Sequence, residues 1–149
     1  YKVTTGAPEI AALRDMFQLE GNPGFTVYYH SVAQNPVNEW LVEQHMERFG
    51  MAPDIFVSGG MAAAMAIVTA LEKTKGDTDA EVLIDTLAGM EFDSPTGTRW
   101  FRAEDHQAQQ SLFEITFTRQ EGVDHIVPEL VRVIPPEDTA DPVQTTFEN

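Results

Sequence analysis

The stretch that decides the fold is Phe92-Asp93-Ser94-Pro95-Thr96-Gly97-Thr98-Arg99-Trp100-Phe101-Arg102-Ala103-Glu104-Asp105-His106-Gln107. Pro95 presets φ for a turn and Gly97 supplies a positive φ, while aromatic residues alternate with polar ones on both sides. The pattern predicts a β-hairpin in which Phe92 pairs with the segment Arg99–Arg102. We interpret the following Asp105-His106-Gln107 as a structural loop rather than an acid–base couple, because adjacent loop side chains usually point apart.

Composition excludes several classes of function. The 149 residues include 24 acidic and 9 basic side chains, for a formal net charge of -15. Such a surface repels phosphate backbones and anionic lipid, so nucleic acid and membrane surfaces are disfavoured as partners. The chain has no cysteine, which excludes disulfides, thiolate nucleophiles and cysteine zinc sites. No run of about 18 apolar residues is visible, so we expect no membrane insertion.

The first part of the chain reads as strand, helix, strand. Tyr1–Thr4 is predicted to be a short strand and Glu9–Phe17 a helix that follows Pro8. Gly21-Asn22-Pro23-Gly24 is predicted to be a turn, and the aromatic run Phe25–Tyr29 a buried strand.

Three further helices follow. Asn35 is predicted to cap a helix that begins at Pro36 and ends at Gly50. The predicted apolar stripe of this helix consists of Val37, Trp40, Leu41, Met46 and Phe49. The next helix is expected to run from Gly59 to Lys73, with Ser58 as its cap, and Gly76 is expected to terminate it. A capping box formed by Thr78 and Glu81 is predicted before the third helix, 82–87.

The last part of the chain is predicted to be strands. Ser111–Thr118 alternates apolar and polar residues, and Ile126–Ile134 reads as a strand broken by Pro128. Residues 135–149 are rich in proline and acidic residues, so we expect an extended tail. The order of elements predicts a layered α/β arrangement with antiparallel additions late in the chain.

The sequence contains no recognisable catalytic set. The four histidines form neither an HExxH motif nor a close pair, so no metal site is predicted. Ser58 lacks the G-x-S-x-G frame of a nucleophile elbow. His30 ends an apolar strand beside Tyr29, and this position suits a role in lining a cleft or hinge. Thr4-Thr5-Gly6 offers two hydroxyls and a backbone amide at the carboxyl end of a strand, which suits either a ligand or a helix cap.

The order and spacing of these pieces resemble the type I periplasmic solute-binding proteins of ABC importers, the branched-chain amino-acid-binding protein family. The resemblance covers nearly the whole chain and corresponds to the C-terminal portion of that family. The matching pieces are Tyr1–Leu13, Phe25–Tyr29, Asn35-Pro36, Arg48-Phe49-Gly50, Ala52-Pro53-Asp54, Ala70-Leu71-Glu72, Phe92–Gly97, Asp105-His106-Gln107, Val133-Ile134-Pro135-Pro136-Glu137 and Pro142. The chain begins without an initiator Met, and we expect a piece of a longer protein or a processed product.

The resemblance implies an α/β fold of three-layer lobes with Rossmann-like parallel sheets, only partly represented in this chain. It assigns residues 1–31 to the end of the second-lobe block, 32–106 to part of the first lobe and 107–134 to strands that return to the second lobe, before the tail at 135–149. Crossings between lobes are expected near Tyr29–Val32 and His106–Leu112.

The implied function is capture of a small polar or carboxylate-bearing solute between two lobes, for delivery to a membrane permease. The expected ligand-binding residues are Thr4, Thr5, Gly6, Tyr29 and His30. Amino-acid-binding members carry an acidic residue where this chain has Thr5, which favours an aromatic acid, an amide or another carboxylate over an α-amino acid. We expect an extracytoplasmic, monomeric protein that is not an enzyme and needs no cofactor. The alternative is a ligand-sensing domain of a receptor or regulator with the same fold.

Overall fold

The computed structural model describes residues 4–5, 20–21 and 23–143. Their elements, in chain order, are β1 (Thr4–Thr5), β2 (Pro23–Thr26), α1 (Pro36–Phe49), α2 (Ile55–Lys73), α3 (Ala80–Leu87), β3 (Glu91–Ser94), β4 (Gly97–Phe101), β5 (Ala108–Gln109), β6 (Leu112–Arg119), β7 (Ile126–Ile134) and a 3₁₀ turn (Pro136–Asp138). The predicted helix Glu9–Phe17 lies outside the described residues.

The strands form two sheets. Sheet A has the order β1-β2-β6-β7 and sheet B the order β3-β4-β5. Within the described residues, β1 and β2 are the one parallel pair, and the other neighbours are antiparallel. The mixed α/β architecture is therefore confirmed, with the antiparallel strands late in the chain as predicted.

The predicted hairpin is confirmed as β3 and β4. Phe92 pairs with Arg99 and Ser94 with Gly97, whose φ is 100°. The buried Ser94 hydroxyl donates to the Gly97 carbonyl oxygen at 2.7 Å and accepts from the Thr96 amide at 3.2 Å. The turn is therefore stabilised by its own side chain as well as by its backbone.

The bounds of α1 are confirmed, but the predicted apolar stripe is wrong for three of its five residues. Asn35 accepts from the Asn38 amide at 3.0 Å, and Gly50 ends the helix with φ 69°. Trp40, Met46 and Phe49, by contrast, are exposed, and the buried positions are Asn38 and Leu41. The described core covers the face of α1 that carries Asn38, so periodicity alone could not identify the buried side of this helix.

The helix α2 begins four residues earlier than predicted. Its cap is Asp54, whose Oδ1 accepts from the amides of Phe56 at 3.0 Å and Val57 at 2.9 Å. Ser58 lies inside the first turns of the helix and is 1% exposed, so the prediction that it caps the helix is wrong. A carboxylate satisfies two free amides and complements the helix dipole, which explains why Asp54 takes this position.

By length and composition, α2 could also cross a membrane, and the core helix of a soluble protein meets the same criterion. The expectation of no membrane insertion stays a prediction. In the structure Ala66 and Ala70 pack with Phe92 of β3 and with Met90, which precedes β3. Around them lie Met65, Leu83, Leu87 and Phe101. We call this group the sheet B cluster.

Two other boundaries differ from their predictions. Asp79 rather than Thr78 caps α3, since its carboxylate accepts from the amides of Glu81 and Val82. The strand β2 starts at Pro23, inside the predicted turn, and ends at Thr26 instead of Tyr29. The Thr26 hydroxyl donates to the Tyr28 carbonyl oxygen at 2.8 Å and so bends the chain out of the sheet.

The strand β7 continues through Pro128, so the predicted break is wrong. Pro128 pairs with Phe117, and β7 is an edge strand of sheet A. An edge strand tolerates a residue without an N–H, because one side of the strand makes no ladder bonds. The described part of the predicted tail includes the 3₁₀ turn Pro136–Asp138.

The larger core lies on sheet A. It consists of Tyr28, Tyr29, Val32, Ala33, Phe113, Ile115 and Phe117, with Ile55, Ile126 and Leu130 packed around it. We call it the sheet A cluster. It covers one face of β6 with residues that follow β2, so the segment between β2 and α1 is part of the core. The predicted domain limits, 1–31, 32–106, 107–134 and 135–149, stay predictions.

We expect Asp54→Ala to lower the free energy of unfolding by about 1 kcal/mol, because two amides of α2 lose their acceptor. Urea denaturation measures this loss. The control is Asp54→Asn, which keeps the acceptor oxygen and should lose clearly less. Equal losses in both variants would contradict the assignment of Asp54 as the cap.

Candidate functional site

The parallel pairing of β1 with β2 defines one edge of sheet A. Thr4 is level with Gly24 and Thr5 with Phe25, so the carboxyl ends of the two strands lie side by side. Open α/β sheets bind ligands at this kind of edge. The predicted site residue Gly6 lies outside the described residues. For Thr4 and Thr5 the structure gives the backbone pairing with β2.

A small cavity lies at the same edge. It has a volume of about 160 Å³ and is lined by Phe25, Thr26, Val27, Leu112 and Ile55. We call it the edge cavity. Sheet A supplies Phe25 and Leu112, whereas Ile55 is the first residue of α2, so two layers of the fold contribute to its wall. The lining is almost entirely apolar and suits the apolar part of a small solute.

A second cavity of about 340 Å³ contains the predicted residues Tyr29 and His30. The other residues that line it are Ser31, Gln120, Val123, His125 and Val127. We call it the histidine cavity. The rings of Tyr29 and His30 lie 4.5 Å apart between centroids. His125 Nδ1 lies 2.8 Å from an oxygen of Asp124, so its ring is oriented by a carboxylate.

The structure distributes the predicted site residues over two places. The backbone of Thr5 pairs beside Phe25, which lines the edge cavity. Tyr29 and His30 instead line the histidine cavity, together with residues at the turn between β6 and β7. Among the described residues of the predicted site, Tyr29 and His30 therefore line a cavity, and Thr4 and Thr5 lie in a strand beside β2.

The predicted site residues include none of the five that line the edge cavity and two of the seven that line the histidine cavity. Sequence reasoning did not identify Ile55 and Leu112 at the edge cavity or Gln120 and His125 at the histidine cavity. The alternation of β6 shows that it is a strand but does not show which strands it pairs with. The residues at the two ends of β6 can be proposed as cavity residues only when the strands that pair with β6 are known.

The loop after β4 is structural, as interpreted from the sequence. Arg102 binds the Asp105 carboxylate through two nitrogens, and its Nε donates at 2.8 Å. The same guanidinium donates to Gln107 Oε1 at 2.8 Å and to the Asp141 carbonyl oxygen at 2.7 Å. His106 has φ 57° and its amide donates to the Arg102 carbonyl oxygen. The guanidinium thus closes the loop and holds the start of the C-terminal segment.

This ion pair shifts both pKa values. The hydrogen bond from Arg102 lowers the pKa of Asp105 below 3.8, with a further contribution from the Gln107 amide. The reciprocal hydrogen bond raises the pKa of Arg102. Both groups therefore stay charged at neutral pH.

His45, which lies in α1, also makes contacts within its own part of the fold. His45 Nδ1 lies 2.8 Å from the Met51 carbonyl oxygen, and its ring packs against Phe49. In the part of the chain that the structure describes, no three His, Asp or Glu side chains are grouped as the ligands of a metal ion would be.

The chain belongs to the periplasmic binding protein family, since the model of that family matches residues 4–120. The fold agrees with this assignment. The structure matches an ABC-type branched-chain amino acid transporter protein from Rhodopseudomonas palustris with a TM-score of 0.86 and 43% identity, over 97% of this chain. The described residues thus form part of a type I periplasmic-binding-protein fold.

Two further solved structures are similar. An ABC transporter protein from Rhodopseudomonas palustris is 47% identical over 73% of this chain, with a TM-score of 0.52. A leucine binding protein from Thermotoga maritima is 25% identical over 91% of this chain, with a TM-score of 0.65. The chain spans 38%, 32% and 37% of the lengths of these three proteins. No curated protein matches the chain.

We expect the stabilisation that Asp105 provides to depend on pH. Its pKa is lowered in the folded state, so its contribution is complete above the unfolded value near 3.8 and is lost as the pH falls through the folded value. Asp105→Asn should therefore lower the urea midpoint at pH 7, and the difference from wild type should shrink below about pH 4.

The control for that measurement is Asp85→Asn, which removes an exposed carboxylate of α3 and so changes the net charge equally. A difference between wild type and Asp105→Asn that is the same at pH 7 and pH 3 would contradict the ion-pair explanation.

Proposed function

We propose that this chain is part of the extracytoplasmic solute-binding component of an ABC importer. The observation that carries the proposal is the match of the family model to residues 4–120, together with 43% identity to a branched-chain amino acid ABC transporter protein over 97% of the chain. The proposed partners are a small solute and a membrane permease, and the protein acts as a monomer without catalysing a reaction. Capture couples solute binding to closure of two lobes.

The proposed solute is small and has an apolar part and a carboxylate or other polar group. The apolar lining of the edge cavity supports the apolar part, because burial of hydrocarbon there removes it from water. The names of two relatives refer to branched-chain amino acids and to leucine, which share with this solute class an apolar part and a carboxylate.

We assign the polar end of the solute to Thr4, Thr5 and Gly6. Thr4 and Thr5 form β1, whose carboxyl end lies beside that of β2. A carboxylate can accept hydrogen bonds from threonine hydroxyls and a backbone amide. The segment supplies no carboxylate to pair a ligand ammonium. This favours an aromatic acid, an amide or another carboxylate over an α-amino acid. Tyr29 and His30 are proposed to contact the solute from the crossing that follows β2.

The experiment is a binding panel on the intact protein that contains this chain. The compounds are L-leucine, L-isoleucine, benzoate, 4-hydroxybenzoate and benzamide, with acetate as a control that lacks a large apolar part. A solute at one hundred times its Kd should stabilise the folded protein by about 2.7 kcal/mol and raise its Tm. Thermal shift identifies the solute and calorimetry measures its Kd. A flat response to the whole panel would count against the proposed solute class.

Phe25→Ala tests the edge cavity. The loss of this aromatic side chain, which is 39% exposed, should raise the Kd of the panel compound that binds most tightly by roughly tenfold, equivalent to about 1.4 kcal/mol. Phe49→Ala, which removes an exposed phenylalanine that lines neither cavity, is the control and should leave the Kd unchanged. Equal effects of the two substitutions would exclude the edge cavity as the binding site.

A further inference from the structure

A buried side-chain amide joins α1 to the segment that follows β2. Asn38 lies in the first turn of α1 and is 2% exposed. Its Oδ1 accepts a hydrogen bond from the Tyr28 hydroxyl at 2.8 Å. Its Nδ2 donates to two backbone carbonyl oxygens, that of His30 at 2.9 Å and that of Ala33 at 2.6 Å. One side chain thus contacts the segment at three points.

The three partners determine how the amide of Asn38 is oriented. The two carbonyl oxygens can only accept, so the NH₂ group must face them, and Oδ1 is left for the hydroxyl of Tyr28. The reverse orientation would place Oδ1 against the oxygens of His30 and Ala33. An aspartate of the same shape lacks both donors, and an alanine lacks all three contacts. The arrangement therefore requires an asparagine.

The segment that this amide holds has little regular structure of its own. Within it, the backbone amides of Val32 and Ala33 donate hydrogen bonds to the Tyr29 carbonyl oxygen, at 2.9 and 3.2 Å. Tyr29, His30 and Ser31 form one wall of the histidine cavity. The side chain of Asn38 therefore links that wall to α1 by hydrogen bonds, in addition to the packing of Tyr29 in the sheet A cluster.

The other end of the connection is also fixed. Asn35 caps α1 through its Oδ1, and its Nδ2 donates to the Pro95 carbonyl oxygen at 2.8 Å. Pro95 lies in the turn of the β3–β4 hairpin. A continuous series of hydrogen bonds therefore leads from sheet B through the first turn of α1 to the wall of the histidine cavity.

We infer that Asn38 is a positioning residue for solute binding. Its side-chain amide holds the Tyr29-His30-Ser31 wall in place and sets the affinity for the solute without contacting it. The effect on affinity rests on the proposed function, whereas the effect on the wall does not.

The test compares Asn38→Asp and Asn38→Ala with Tyr28→Phe in the intact protein. Both Asn38 variants lose the two donors to the segment. Tyr28→Phe removes one hydrogen bond of the same network and keeps those donors, so it is the matched control. If circular dichroism shows that Asn38→Asp does not fold, Asn38→Ala is compared with Tyr28→Phe instead.

Amide hydrogen exchange is the first measurement. In the Asn38 variants the amides of Val32 and Ala33 should exchange at least about tenfold faster relative to those of β6, and the imidazole resonances of His30 should shift. In Tyr28→Phe the same relative rates should stay within about twofold of wild type. Faster exchange of Val32 and Ala33 only in proportion to β6 would mean a merely global loss of stability and would overturn the inference.

Calorimetry with benzoate and L-leucine is the second measurement. The Asn38 variants should bind the compound that wild type binds at least about tenfold more weakly, whereas Tyr28→Phe keeps the wild-type Kd even if its Tm falls. An unchanged Kd in the Asn38 variants would overturn the effect on affinity. If wild type binds neither compound but the exchange pattern is found, the proposed solute class fails and the positioning of the wall is supported.

Discussion

The pairing of β6 between β2 and β7 is the constraint on which the rest of the structure depends. It places Phe113, Ile115 and Phe117 on one buried face, and the residues that follow β2 fold over that face. Both cavities border this strand. The edge cavity lies at its first residue, Leu112, and the histidine cavity lies beyond its last residue, at Gln120. A change in the register of β6 would therefore alter both candidate binding surfaces at once.

Short polar side chains connect the parts of this fold. Asn35, Asn38 and Asp54 each satisfy backbone groups near the start of a helix, and the two asparagines also bind groups outside their own helix. Arg102 has the same role in the loop after β4. Buried polar groups of this kind need partners with defined geometry, and so they specify how elements are placed relative to one another. This specificity matters in a protein whose ligand is proposed to lie between two layers.

The identity of most elements could be predicted from the sequence. The β3–β4 hairpin, the caps Asn35 and Gly50 of α1 and the strand nature of β6 follow from turn chemistry and local periodicity. Predictions failed where two nearby residues could each cap the same helix. Ser58 and Thr78 were predicted as caps, but Asp54 and Asp79 are the caps in the structure. They also failed where tertiary packing decides, as for the predicted stripe of α1, whose buried face carries Asn38.

The sequence by itself determined the elements, their order and the membership in a family, because turn residues, caps and alternation act over a few neighbouring positions. It also indicated Thr4, Thr5, Tyr29 and His30 as candidates, since they lie at the carboxyl ends of predicted strands. Only the tertiary structure decided that Tyr29 and His30 share a cavity with Gln120 and His125, about ninety residues further along the chain. The physical reason is that strand partners and register arise from long-range packing, which no local pattern specifies.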